Sequence, residues 1–280
     1  MRQAENSLKG WSLEAREPQF IRSLMPVWEW FYRYYFRVKT DGWHQIPTQE
    51  QVLIVGSHNG GLAAPDMVMM IYDWYRHFGT DSLTYGLMHP YMWKYYPFFA
   101  DIAVKIGAIV AHPKMALGAF EKGANVLVYP GGAEDVFRPH CQRNQINFAG
   151  RKGFIKLALK AEVPIIPAIS YGAHDTLLVA GNFYAQIKQL HDWGIPWPFN
   201  IDPLVFPVYF GLPWGLAIGP LPNFPLPVQI HTRIGKPIRF ERMGKEAAND
   251  RIYVDQCYQL VLEKMQGELD DLVSENELLG

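Results

Sequence analysis

The sequence predicts an α/β fold in which helices flank a mixed, largely parallel sheet. Three observations point there. Short β-rich runs at 51–55, 108–111, 125–129, 164–169 and 228–234 alternate with helical candidates at 65–78, 113–122, 153–161 and 250–272, the order that builds a sheet covered by helices. A chain of 280 residues is long enough for one large core. No internal repeat, low-complexity tract or Ser/Gly linker interrupts it. The expected organisation is an N-terminal segment, 1–37, followed by one α/β domain, 38–280.

The chain opens on MRQAENSLKGWSLEAREP, a polar stretch with no apolar core ahead of a small-residue cleavage site, so no secretory signal peptide is expected. Over 20–38, Phe20, Leu24, Val27, Trp28, Phe31, Tyr35 and Val38 recur at helical spacing while Arg22, Glu29, Arg33 and Arg37 gather on another face. Such an amphipathic helix suits a membrane surface or the flank of its own domain equally well. Pro26 fits it only if the regular helix begins there. In the last helical candidate Tyr253, Cys257, Leu260 and Val261 keep one apolar face, and the acidic end, 267–280, is expected to fray.

Between 203 and 232 there is no Asp, Glu, Lys or Arg, a run long enough to cross a bilayer. Its prolines, from Pro203 to Pro227, forbid a spanning helix because each removes a donor and frees a carbonyl that lipid cannot satisfy. The run is expected to be an irregular apolar loop that caps a cavity or dips into a membrane surface.

Composition narrows the function. With 26 Lys+Arg against 27 Asp+Glu, no overall field draws in nucleic acid. At 14% aromatic and only 19% charged, the chain is tilted toward contact with apolar substrates or lipid. Cys141 and Cys257 allow at most one bridge, and neither has zinc-ligand spacing, so no structural metal is expected.

Two segments could carry chemistry. The buried run Val52-Leu53-Ile54-Val55 leads through Gly56-Ser57 to His58, then Gly60-Gly61 and Pro65-Asp66. Open α/β sheets put ligands at strand C-termini, and an imidazole there can serve as a general base near neutral pH. Were 58–66 one helix, His58 and Asp66 would stand roughly 12 Å apart. They meet only if 59–64 is a loop, for which Gly60-Gly61 supplies positive φ and Pro65 a first helical residue. Spacing alone favours a capping or core histidine, with Asp66 merely suiting the helix N-terminus. The second segment runs from Val126-Leu127-Val128-Tyr129 into Pro130-Gly131-Gly132, with Glu134, Asp135 and Arg138 following. On its own this is a strand-turn with a solvated acidic pair. No phosphate loop or dinucleotide fingerprint occurs, and Ser57 lacks the flanking glycines of a hydrolase elbow. His174-Asp175 is a rival base–carboxylate pair, though adjacent residues usually point apart and a surface turn is expected. Asp135 is the next carboxylate to consider should the Asp66 carboxylate stand beyond hydrogen-bond reach of the His58 ring.

Taken in order, these segments resemble the glycerolipid acyltransferase superfamily (PlsC-like, or lysophospholipid acyltransferase, proteins). The likeness runs from about Val38 to Arg239 and comprises the 52–66 histidine block, Lys105-Ile106-Gly107-Ala108-Ile109, the Tyr129-Pro130-Gly131-Gly132 block, Val163-Pro164-Ile165-Ile166-Pro167-Ala168 and Gly235-Lys236-Pro237-Ile238. The resemblance implies that His58 is a base activating an acceptor hydroxyl, with Asp66 orienting it. The family's usual pattern has four residues between the two, and this chain has seven. Phosphate-accepting members carry Pro-Glu-Gly-Thr-Arg where this chain has Pro130-Gly131-Gly132-Ala133-Glu134, so an arginine is replaced by a carboxylate that would repel phosphate. The Pro-Gly-Gly form resembles the diacylglycerol and wax-type branch, whose acceptors are neutral; Arg138 could restore a cation.

The expected activity is transfer of a fatty acyl group from acyl-CoA or an acyl-carrier protein (acyl-ACP) to the hydroxyl of a neutral lipid, diacylglycerol or a long-chain alcohol. His58 and Asp66 would be catalytic, and Gly60, Gly61, Pro130, Gly131, Gly132, Glu134 and Arg138 would line the substrate site. Backbone donors at either glycine pair would stabilise the oxyanion. No cofactor beyond the thioester co-substrate is expected. The partners are then these substrates and a membrane surface, with peripheral association on the cytoplasmic side. The alternatives are a lysophospholipid or glycerol-phosphate acyltransferase, a hydrolase using the same histidine, and a non-catalytic lipid-binding protein on the same scaffold.

Overall fold

A computed structural model describes residues 10–197 and 202–278. The first nine residues of the polar N-terminal stretch and the last two of the acidic end lie outside the described residues. The strands, in chain order, are β1 (Lys39–Asp41), β2 (Leu53–Gly56), β3 (Thr84–Met88), β4 (Ala108–Val110), β5 (Asn125–Val128), β6 (Ile165–Tyr171), β7 (Leu178–Asn182), β8 (Pro207–Gly211), β9 (Gly215–Ile218) and β10 (His231–Ile234). The helices are α1 (Pro18–Trp30), α2 (Pro65–Phe78), α3 (Tyr91–Tyr95), α4 (Pro97–Ile106), α5 (Pro113–Glu121), α6 (Gly132–Val136), α7 (Gly153–Ala161), α8 (Tyr184–Asp192), α9 (Gly244–Asn249) and α10 (Arg251–Glu277).

Seven strands form the main sheet in the order β1-β10-β6-β2-β5-β3-β4. All pairings are parallel except β10 on β6, which makes the sheet mixed, as expected. β2 lies in the middle, between β6 and β5, and is buried along its whole length, the environment an uninterrupted Leu-Ile-Val-Gly run demands. Its alternation divides the core. Leu53 and Val55 pack with Val126 and Ile165 under α5, α7 and α10, while Ile54 packs with Leu127 and Ile166 under α1 and α2. Burying each of these side chains contributes roughly 1.5–3 kcal/mol.

Several expectations need correction. The regular N-terminal helix does not begin at Pro26; it starts at Pro18 and carries Pro26 inside, on its exposed side, where water can take the carbonyl that proline leaves unpaired. It then widens into a π-helical turn, Phe31–Tyr35. Its buried line is Ile21, Tyr32 and Phe36, with Met25 and Trp28 beside them. Val27, Trp30 and Tyr34 face outward. The acidic end does not fray within the described residues: α10 continues to Glu277 because Leu269 and Leu272 are buried and Arg233 holds Glu275. On that helix Leu260 points out rather than joining the apolar face.

The run 203–232 is only partly irregular. β8 and β9 form a hairpin that pairs with β7 into a second, antiparallel sheet. Pro207 opens β8 and Pro213 lies in the turn, positions where the sheet asks for no donor. The inner face of this sheet, Val179, Tyr209 and Ala217, packs on Val136, Phe137, Leu62 and Ala133. The outer face, Leu178, Phe210, Leu216 and Ile218, is also apolar and is exposed.

Candidate active site

Parallel pairing of β2 with β5, Val55 opposite Val128, sets the two predicted segments side by side at the strands' C-terminal ends. Gly56 lacks a side chain where a Cβ would stand 2.2 Å from the Tyr129 ring, so Tyr129 can cross the end of β2. There it packs on His58 with ring centroids 4.7 Å apart. Beyond His58 the chain turns through Gly60 and Gly61 at φ +78° and +70°, makes one 3-10 turn over Gly61–Ala63, and reaches Pro65 through Ala64 at φ +43°. Pro65 opens α2, which puts Asp66 in its first turn.

The loop brings the two ends together. His58 Nδ1 lies 3.7 Å from Asp66 Oδ1, longer than a hydrogen bond but within ion-pair range. Neither atom has a hydrogen-bond partner, and both are buried. The Asp66 side chain is 1% exposed and that of His58 17%, none of it at the buried Nδ1.

Beneath the dyad lies a closed polar circuit. Asn59 donates through Nδ2 to Asp66 Oδ2 at 3.1 Å and to the Ser57 carbonyl at 3.0 Å. Its Oδ1 accepts from Arg138 Nη2 at 2.5 Å. Arg138 Nη1 donates to the His58 carbonyl at 2.8 Å and to Asp135 Oδ1 at 2.9 Å. Asp135 Oδ2 accepts from the His58 backbone N–H at 2.5 Å, which closes the circuit. Burial pushes the Asp135 carboxyl up to about 6, against the pull of the Arg138 guanidinium. Burial likewise holds the Tyr129 phenol well above its ordinary range, and the nearby Asp66 carboxylate adds to that, so the hydroxyl stays protonated.

The residues named from sequence divide into those around the dyad and those under it. His58, Gly60, Gly61, Pro130 and Gly131 lie on the adjoining loops after β2 and β5, and Asp66 and Gly132 lie in the first turns of the helices those loops lead into, α2 and α6. Gly131 serves close packing: a Cβ there would stand 2.1 Å from the Asn147 carbonyl. The Gly132 N–H donates to the Tyr129 carbonyl at 3.3 Å, so that donor is committed to its turn. Arg138 is 2% exposed and directs its donors onto Gln142, Arg143, His58, Asp135 and Asn59, which places it in the scaffold and not on a ligand-facing surface. Glu134 is exposed and paired with Arg151 at 3.2 Å, while Arg151 also donates to the Gly131 carbonyl at 2.6 Å.

Sequence reading missed Asn59, Tyr129 and Arg151, and saw Asp135 only as a substitute partner for the ring. The signal available for Asn59 was an amide three residues past a buried strand end, where an unsatisfied polar group costs about 1–3 kcal/mol. The rival pair comes apart in the structure. His174 is buried rather than on a surface turn, donates to the Arg138 carbonyl at 2.9 Å and is pushed down to about 3 by desolvation, while Asp175 accepts from His140 at 2.7 Å.

Comparison with known proteins bears on the family and not on individual residues. The family model described as diacylglycerol acyltransferase matches residues 13–275. An uncharacterised protein of Mycobacterium tuberculosis is 25% identical over 261 residues, covering 92% of this chain and 68% of its own. Diacylglycerol O-acyltransferase 2 of Dictyostelium discoideum is 26% identical over 184 residues, 62% of this chain and 51% of that protein. Among solved structures, the 1-acyl-sn-glycerophosphate (LPA) acyltransferase PlsC of Thermotoga maritima superposes with a TM-score of 0.48 at 14% identity, over 88% of this chain and 79% of that one.

Proposed function

The chain belongs to the diacylglycerol acyltransferase family, and from that premise we propose that it moves a fatty acyl group from an acyl-CoA or acyl-carrier thioester to the hydroxyl of a neutral lipid, with His58 as general base. The observation that carries the reading is the facing pair of buried, otherwise unpartnered atoms, His58 Nδ1 and Asp66 Oδ1. A proton on Nδ1 directed at the carboxylate leaves Nε2 with its lone pair free to take the hydroxyl proton. The alcohol oxygen then bonds to the thioester carbon, and the tetrahedral adduct collapses by breaking the C–S bond. The imidazolium returns its proton to the departing thiolate, giving ester and thiol. No covalent enzyme intermediate and no cofactor besides the thioester enter this scheme. With the Gly132 N–H committed, the Gly60-Gly61 backbone is the better source of oxyanion donors.

Access for lipid is supported by the small sheet, which is apolar on both faces where a solvated sheet would alternate with polar residues. Its inner face packs on Leu62 and Ala133, next to the dyad, and its outer face is the proposed contact with a membrane. Among the described residues no helix is long and apolar enough to cross a membrane, so the proposed association is peripheral.

One observation favours a second acceptor class. Arg151 offsets the charge of Glu134 at the Pro130-Gly131 turn, which weakens the repulsion argued from sequence and offers a cation to a lysophospholipid or glycerol-phosphate headgroup. The test is a panel of diacylglycerol, long-chain alcohol and lysophosphatidate presented in vesicles with acyl-CoA. Neutral acceptors are expected to be preferred, and preference for the phosphate would overturn that part of the reading. His58→Ala is expected to lower turnover roughly 100- to 10,000-fold, and wild-type turnover by that variant would remove the base.

A further inference from the structure

The loop between His58 and Asp66 is held only in part by its own contacts, the Ala64 N–H on the Gly61 carbonyl and Asn59 on Asp66. It contains two consecutive glycines at positive φ and then Ala64 in the left-handed region, where a residue with a Cβ is strained. A further hold on the turn comes from 160 residues further along the chain. Asn223 donates through Nδ2 to the Gly60 carbonyl at 3.0 Å and accepts through Oδ1 from the Ala63 N–H at 3.2 Å. Its amide thus bridges the two ends of the turn as a peptide group would. The contact is close, since a Cβ on Gly61 would stand 2.6 Å from Asn223 Oδ1.

The strap that presents Asn223 is itself anchored. Prolines remove half of the backbone donors of 220–227, and its carbonyls are caught by side chains: Tyr96 on Pro220, Tyr209 on Leu221, Trp214 on Pro222, Tyr35 on Pro225 and Arg37 on Pro227. The Leu226 N–H donates to the Thr176 carbonyl. A side chain projecting from so fixed a backbone can impose geometry on a glycine turn that has little of its own.

We infer that Asn223 is a positioning residue for the transfer, its amide clamping the 60–63 turn so that His58 and Asp66 face each other; the inference rests on reading His58 as the base. Two variants of the full chain test it. Asn223→Ala removes both bonds and is expected to lower kcat roughly 10- to 100-fold with KM little changed, and to speed amide exchange in the 58–66 peptide while Tm stays near wild type. Asn223→Asp distinguishes clamping from space-filling. Its carboxylate faces the Gly60 carbonyl with no proton to donate, whereas its protonated acid can donate to that carbonyl and accept from Ala63. The ratio of its kcat to that of wild type is therefore expected to rise several-fold as pH falls from about 8 to about 5.5, through the raised range of a carboxyl set against a carbonyl.

A flat ratio together with unchanged exchange in Asn223→Ala would overturn the clamp. Should Asn223→Ala fail to fold, the pH ratio of Asn223→Asp decides alone. An active His58→Ala variant would overturn the catalytic reading instead, and the exchange measurement would still say whether Asn223 fixes the turn.

Discussion

Replacing Arg138 by methionine tests the scaffold beneath the dyad. The guanidinium is buried beside the fully buried Asp135, and its other donors satisfy Asn59 and the carbonyls of His58, Gln142 and Arg143. Methionine preserves much of the volume and removes all of these bonds. Removing one member of a buried pair costs about 3–5 kcal/mol, because the remaining charge is left uncompensated. The cost depends on pH. Even with Arg138 present, burial raises the Asp135 carboxyl from an ordinary 3.8 to about 6, equivalent to roughly 3 kcal/mol. Because the folded value lies above the unfolded one, the folded state binds the proton more tightly. That cost is absent below about pH 4, grows as pH rises, and is complete above about pH 6. Without Arg138 the carboxyl moves higher still and the cost extends further into the alkaline range. In urea unfolding the variant is expected to lose about 3–5 kcal/mol near pH 8 and at least about 1 kcal/mol less near pH 5. Adding Asp135→Asn to it should abolish the difference between the two pH values. A loss below about 1 kcal/mol near pH 8, or one that does not change with pH, would refute the assignment of Arg138 to the scaffold.

Two further outcomes follow from the same geometry. Asp66→Asn keeps an oxygen for Asn59 but loses the acceptor aimed at His58 Nδ1, so steady-state kinetics should show kcat falling roughly 100-fold or more with KM held; an unchanged kcat would take Asp66 out of the reaction. Phe210→Ser combined with Leu216→Ser alters a cross-strand pair on the exposed face of the small sheet and should reduce cosedimentation with phosphatidylcholine vesicles at least about tenfold, with little change in Tm. Equal sedimentation would mean that this face does not meet lipid.

What could be read from the sequence was local. The helices Pro65–Phe78 and Gly153–Ala161 have the bounds expected of them, because Pro65 and the apolar spacing act within one or two turns. The five expected strands are present with ends that coincide or shift by up to three residues. The strands β1, β3 and β7–β9 were not anticipated; β1 has only three residues and is held by its pairing with β10 rather than by any pattern of its own. The end of α10 was misread for the same kind of reason, since what orders it, Arg233 on Glu275 and His231 on Asn276, arrives from another strand. His58 was legible because a rule about strand ends needs only the strand. Asn59, Arg138 and Asp135 were not legible as one circuit, because they meet only when β2 and β5 become neighbours.

The spacing between His58 and Asp66 shows how little the separation along the chain constrains a pair. Seven intervening residues in place of the four typical of the resembled superfamily add only about 0.5 kcal/mol of loop-closure entropy. A longer turn is therefore cheap in free energy, but it is also slack, and slack is what a base–carboxylate pair tolerates least. The chain meets that requirement with two glycines and a strained alanine that reverse direction, and with polar contacts on both sides: Arg138 on the His58 carbonyl and Asn223 on Gly60 and Ala63. Shortening the loop to the usual spacing is therefore expected not to improve the site. It would pull Gly60 and Ala63 away from Asn223, and the strap would lose its hold on the turn just as the turn came to need it less.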